Sequence, residues 1–184
     1  MGILEKAISF AADRHAGMVR KGTDIPYIVH PLEAVAIVAG ITSDPEILAA
    51  TVLHDVVEDT PTTVDEIMKI FGNRIADLVA TESEDKMPGI PPSESWKIRK
   101  EIAINALRAA PIEEKTIVLA DKLSNIRAIY RDSVSLGDQI WERFNQKDKK
   151  MQAWYYRTIA ESLAELSECT AYQEYCQFVE LIFG

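Results

Sequence analysis

The stretch "SDPEILAATVLHDVVEDT", residues 43–60, sets the fold class. Ser43 or Asp44 supplies an N-cap, and Pro45 stands just inside the start, where its missing N–H would have had no helical partner. Apolar residues follow at helical spacing, which predicts a helix over 45–58. Within it His54 and Glu58 are four apart, as are Asp55 and Asp59, so each pair shares a face. Three carboxylates and one imidazole thus sit in an apolar frame, and carboxylates are rarely buried without a partner. A solvated acidic helix end is one reading. It conflicts with the helix macrodipole, which disfavours negative charge at a C-terminus. A divalent cation would offset that charge.

Helical periodicity extends in both directions. Residues 3–16 place Leu4, Ala7, Ile8, Ala11 and Ala12 on one stripe. "MVRKGTDIPYIVHP", 18–31, reads as a breaker-rich loop, after which Pro31 suits a first helical turn continued by "LEAVAIVAGI". In "TTVDEIMKIFG", 62–72, Thr63 precedes Glu66 by three, a capping-box pattern, and Gly72 stops the helix. Further helices are predicted from Arg74 to about Ser83 and over 95–109, 111–130, 147–166 and 168–182. "EDKMPGIPPSES", 84–95, with three prolines and a glycine, reads as a surface loop. It is too short, and its flanks too small, to separate two independent cores. The chain shows no repeat and no strand pattern. The expected class is all-α, one domain over 1–184.

Composition bounds the function. A chain of 184 residues, 47% hydrophobic and 27% charged, suits one globular core. The net charge of -9 argues against a general nucleic-acid binder, which carries a basic footprint. It leaves room for a small anionic ligand, since a local basic patch or a cation reverses the field inside one cleft. Cys169 and Cys176 on one helix stand roughly 10 Å apart, too far for a disulfide, and read as free thiols in a reducing compartment. The N-terminus has no apolar stretch of signal-peptide length, and no segment approaches a membrane span. The expected location is cytoplasmic.

A metal needs more ligands than His54 and Asp55. The chain has three histidines, His15, His30 and His54. His30 closes the loop before a helix start, where a lone histidine is more often structural. Asp121 in "VLADKLSN" lies among Leu119, Ala120 and Leu123, so it is paired with Lys122 or another base, or bound to a metal. Asn125 follows four residues on, on the same face. Two histidine nitrogens and two aspartate oxygens would suit Mn, Fe, Zn or Co. Arg20 and Lys21 read on their own as a solvated basic loop. Trp141, Phe144, Trp154, Tyr155 and Tyr156 include candidates to stack on a base but have core-like spacing. Arg143 and Lys147 suit a distal phosphate or a solvated face. His15 suits a supporting, capping or core position. "CTAYQEYCQFVELIF" is an amphipathic packing helix, compatible with a homodimer interface.

Together "AADRHAGMVRKGTDIPYIVHP", "HPLEAVAIV", "ATVLHDVVEDT" and "LADKLSNIRAI" resemble the HD-domain phosphohydrolases. More closely, they resemble the hydrolase module of the RelA/SpoT family and its small stand-alone relatives of the metazoan SpoT-homologue type. The resemblance covers about residues 4–130. It implies a compact helical bundle of the HD-domain type, with metal ligands His30, His54, Asp55 and Asp121 and manganese as the usual ion. It assigns Glu58 and Asp59 to water activation and proton handling. Arg20 and Lys21 fall beside the nucleotide, and Asn125 near its sugar and phosphates. The implied reaction removes the 3′-pyrophosphate from guanosine tetraphosphate or pentaphosphate. Rival readings keep the metal but change the substrate to a nucleoside monophosphate, a dinucleotide or a reduced nicotinamide phosphate, or make the chain a non-catalytic nucleotide-binding module. The chain ends at Gly184, so no synthetase domain is expected. "SEDKMPGIPPSESWKIRKE" departs from the family pattern, which bears on base and sugar selectivity.

Overall fold

A computed structural model of the chain describes residues 2–82 and 87–184. Among these the regular structure is helical, with one isolated bridge between Val19 and Pro26. The class is all-α, as expected. No helix among the described residues is long and apolar enough to cross a membrane.

The chain separates into two units, Met1–Ser83 with Thr116–Asp121, and Glu84–Lys115 with Lys122–Gly184. In the first unit, α1 (Ile3–Arg14) buries Ala7 and Ala11, one turn apart, while Leu4 and Ile8 are half-buried. Ala12, expected on the same stripe, is exposed, because it lies a further 100° round the helix from Ala11. Helix α2 (Val29–Ala39) buries His30, Ala34 and Val38, each four residues apart. His30 therefore rides on the core-facing stripe. Helix α3 (Pro45–Leu53) is central, packing against α1 and α2. The Asp44 carboxylate caps it, accepting from Glu46 N–H at 2.9 Å. Arg74 donates to Asp44 and Glu46 at 2.8 and 2.7 Å and pins the same end.

The predicted helix over 45–58 does not run through. It breaks at His54–Asp55 and resumes as α4 (Val56–Asp59). The cause is a side chain acting on the backbone. The Thr51 carbonyl, which an α-helix would offer to Asp55 N–H, instead accepts His54 Nδ1–H at 2.7 Å and the His54 backbone N–H at 3.4 Å.

Helices α5 (Val64–Phe71) and α6 (Asn73–Thr81) pack on each other, and α6 also packs on α3. Thr63 Oγ accepts from Glu66 N–H at 3.2 Å, which is half of the expected capping box. The Glu66 carboxylate turns away to Arg14. Gly72 joins the two helices at φ 94°, ψ 168°, a region open essentially to glycine alone. A Cβ there would meet nothing within 4 Å, so a substitution is penalised by the backbone only. Gly72→Ala is expected to lower stability by about 1–3 kcal/mol, measured by urea unfolding with an unchanged m-value.

The second unit holds α7 (Pro92–Ala109), the flanks of α8 (Ile112–Leu136), α9 (Lys149–Ser162) and α10 (Thr170–Phe183). Helix α7 begins three residues earlier than predicted, with Pro92 at its first position. It thus absorbs the end of the expected 84–95 loop. Ser83, the predicted end of α6, and Glu84–Lys86 of that loop lie outside the described residues. Helix α9 packs on α7 and α10. The core reading of the aromatics holds here: Trp141 stacks on Phe183 at 5.5 Å, Tyr156 lies 5.7 Å from the same ring, and Trp96 meets Trp154 and Tyr155 edge-on. Arg143 pairs with Asp132 at 2.7 Å and Lys147 with Glu142 at 2.6 Å. Cys169 and Cys176 are free thiols.

Candidate metal centre

Three elements of the first unit converge on one point. His30 comes from the first turn of α2, His54 and Asp55 from the break after α3, and Asp121 from the middle of α8. His30, His54 and Asp121 are buried, and one donor atom from each lies within 4.8 Å of the others. His30 Nε2 stands 3.1 Å from Asp121 Oδ1 and 3.4 Å from Asp55 Oδ2. His54 Nε2 stands 3.1 Å from Asp55 Oδ2 and 3.8 Å from Asp121 Oδ1. The two imidazoles meet edge to face at 5.2 Å.

The break in the helix also fixes the tautomer. A carbonyl only accepts, so the bond to Thr51 puts the proton on His54 Nδ1. In the neutral ring Nε2 then carries a lone pair, aimed at two carboxylates. It is fully buried and makes no hydrogen bond, although Asp55 Oδ2 lies 3.1 Å away. An orphaned buried nitrogen facing two acids is a position that a cation completes. Two imidazoles and two carboxylates are a donor set for a borderline divalent ion.

The electrostatics agree. Burial by itself would depress His54, but the charge of Asp55 and the nearby Asp121 carboxylate outweigh it and hold the ring well above the usual histidine range. Burial would likewise raise Asp55, yet the two imidazoles, His54 foremost, hold it below the carboxylate range. In the metal-free site those charges favour a proton on His54. His54, raised, adds stability that is complete below about pH 6.5 and lost as pH rises through its folded value. Asp55, lowered, adds stability present above about pH 4 and lost as pH falls through its folded value. The pair contributes most between those limits.

The remaining predicted residues differ in exposure and setting. Asp59 is exposed at the end of α4, and Glu58 is half-buried beside it. Arg20 and Lys21 sit on a tight reversal in which Arg20 N–H donates to the Ile25 carbonyl at 2.8 Å and Gly22 takes φ 73°. Lys21 is exposed, and the Arg20 guanidinium lies over the Tyr27 ring at 5.5 Å. Asn125 is half-buried on α8, four residues after Asp121, and belongs to the second unit.

One residue of the site was not singled out by the sequence. The Tyr27 hydroxyl lies 2.7 Å from Asp55 Oδ2 and 2.9 Å from Asp59 Oδ2. Burial first, then those two charges, push its pKa far above the usual phenol value, so it stays protonated. The available signal was a hydroxyl-bearing aromatic three residues before His30, in the loop that feeds α2. His15, at the C-terminus of α1, stacks on Tyr27 at 4.8 Å and is 2% exposed, with neither ring nitrogen hydrogen-bonded. Burial pushes its pKa down, against the pull of Asp55 and Asp59.

Comparison with known proteins places this geometry. A family model described as "HD domain" matches residues 7–148. The chain is 39% identical over 132 residues to guanosine-3′,5′-bis(diphosphate) 3′-pyrophosphohydrolase MESH1 of Homo sapiens, covering 70% of each chain. A solved structure from Listeria monocytogenes EGD-e superposes with a TM-score of 0.73 at 32% identity, covering 86% of this chain and 96% of that one. A metazoan ortholog of SpoT that hydrolyses ppGpp shares the fold at a TM-score of 0.76 and 23% identity, covering 100% of this chain and 94% of that one. The matched span carries His30, His54 and Asp121, whose donor atoms meet in the buried cluster, with Asp55 beside them, and the chain belongs to the HD-domain family.

Proposed function

We propose that residues 1–184 act as one phosphohydrolase domain that removes the 3′-pyrophosphate from guanosine tetraphosphate or pentaphosphate, with a divalent metal, manganese, held by His30, His54, Asp55 and Asp121. The observation that carries the reading is the buried, unsatisfied His54 Nε2 facing Asp55 and Asp121. The substrate follows the relative named above, a curated hydrolase of this alarmone.

A bound divalent ion supplies Lewis acidity, lowering the pKa of a water and drawing charge from a phosphoryl oxygen. The chain's own groups do the rest. Glu58 orients the attacking water and takes its proton, and Asp59 assists. Arg20 neutralises phosphate charge with a two-pronged contact and Lys21 as a point charge. Asn125 supplies both a donor and an acceptor for the sugar and phosphates. The reaction consumes one water and yields pyrophosphate with GDP or GTP.

The test is hydrolysis of guanosine tetraphosphate with added manganese, beside a chelator control and a panel of other nucleotides. Manganese-dependent release of GDP and pyrophosphate is the expected result. Turnover of another nucleotide alone would move the substrate while keeping the chemistry. Metal binding with silence across the panel would make the chain a nucleotide-binding module.

Metal loading is also expected to release protons. Because His54 is raised in the metal-free protein, it carries a proton near neutrality that a ligand cannot keep. Calorimetry at pH 7 in buffers of different ionisation enthalpy is expected to show about one proton released per ion, and affinity to rise up to about tenfold per pH unit below the folded His54 value. Zero protons released would mean that His54 is already neutral at pH 7 in the metal-free protein.

A further inference from the structure

We propose that Tyr27 is a positioning residue whose single phenolic proton ties the metal-facing carboxylate of Asp55 to the proton-handling carboxylate of Asp59. The inference rests on the ligand and acid assignments above and adds to them a residue that sets their geometry.

The backbone holds Tyr27 firmly. Its N–H donates to the Met18 carbonyl at 2.9 Å, closing the 18–27 reversal, and its own carbonyl accepts from His30 N–H at 3.0 Å. Tyr27 and the ligand His30 therefore move as one turn. The side chain is held as closely. His15 packs against its ring at 4.8 Å and 31°, while the His30 ring lies edge-on at 6.1 Å. His15, buried with both nitrogens unbonded, offers the phenol ring a flat plate and nothing else.

The chemistry of the hydroxyl gives the placement its meaning. Asp55 and Asp59 end in oxygens at 2.7 and 2.9 Å from one phenolic oxygen. Two carboxylates four residues apart repel, and a donor between them reconciles their approach. The Asp55 oxygen that accepts is Oδ2, the same atom that faces both imidazoles. Its bond to Tyr27 thus selects the rotation in which Asp55 meets the ligand cluster, as outer partners of ligands do. The other arm aims Asp59, which is otherwise at an exposed helix end. Tyr27 fixes where the two acids stand and takes no proton itself.

The test is Tyr27→Phe, which keeps both ring contacts and deletes only the hydroxyl, with folding followed by circular dichroism. Manganese affinity, read by calorimetry without turnover, is expected to weaken at least about tenfold. At saturating metal, kcat on guanosine tetraphosphate is expected to fall at least about tenfold with KM within about threefold, a split that lost packing alone would not produce. In an Asp59→Asn background, at an exposed position, the same change is expected to cost less than about threefold in kcat. Unchanged manganese affinity, or an equal kcat cost with and without the Asp59 carboxylate, overturns the proposal. If the native chain hydrolyses no nucleotide, the proposed reaction fails on that result, and the calorimetric arm still decides Tyr27.

Discussion

Asp55→Ala is expected to strip the metal and to lower hydrolysis at least about a thousandfold, a barrier increase of about 4 kcal/mol. The residue does three things at once. Its Oδ2 approaches both imidazoles, at 3.4 and 3.1 Å, so its loss removes a ligand. Its charge is the chief counterweight to the burial of His54, so its loss lets that ring fall back toward neutrality. It also accepts from Tyr27, so its loss leaves that phenol with Asp59 alone. One carboxylate, Asp121, would then face two imidazoles. Metal content after dialysis and the rate at saturating manganese are the two readouts. Asp55→Asn keeps the shape and the acceptor for Tyr27 but not the charge, and is expected to keep the fold while losing affinity. An Asp55→Ala protein with native metal content and native rate would remove Asp55 from the site.

The helix starts were legible in the sequence because their causes are local. Asp44 and Pro45 mark the start of α3, Thr63 that of α5, and Gly72 the join to α6. The break at His54 was illegible because neither glycine nor proline makes it. A side-chain nitrogen competing for a backbone carbonyl does, and spacing at four residues is blind to that bond. The extension of α8 to Leu136 was missed for a related reason. The polar run from Arg131 looks like a loop, but Ser133 and Ser135 send their hydroxyls back to helix carbonyls at 2.8 and 3.1 Å. The site divides in the same way. From residue types alone, the His54–Asp55 pair, His30 and Asp121 left several pairings open, since these three positions lie far apart in the chain, and the motif resemblance assigned all four as ligands. Tyr27 shows the limit of motif reading. Its partners are 28 and 32 residues away, and nothing in its immediate neighbours announces a shared proton.

Glu58→Gln separates chemistry from metal holding, which Asp55→Ala cannot do. Glu58 is not one of the four residues proposed to hold the metal. It follows the break in α4, half-buried, one residue before the acid that Tyr27 engages. Glutamine preserves the side chain's length and its capacity to accept a hydrogen bond while removing the ability to take a proton. The expected result is manganese affinity within about threefold of native and a kcat lower by about 10²–10⁴, the range that a positioned general base contributes. KM should change little, because a base acts in the transition state and not in substrate binding. Asp59→Asn provides the contrast. It removes a charge from an exposed helix end, so its loss in kcat is expected to be smaller than that of Glu58→Gln. If the order is reversed, the base is Asp59, and Tyr27 aims the base itself. If Glu58→Gln keeps full turnover on every nucleotide that the native chain hydrolyses, Glu58 has no catalytic role.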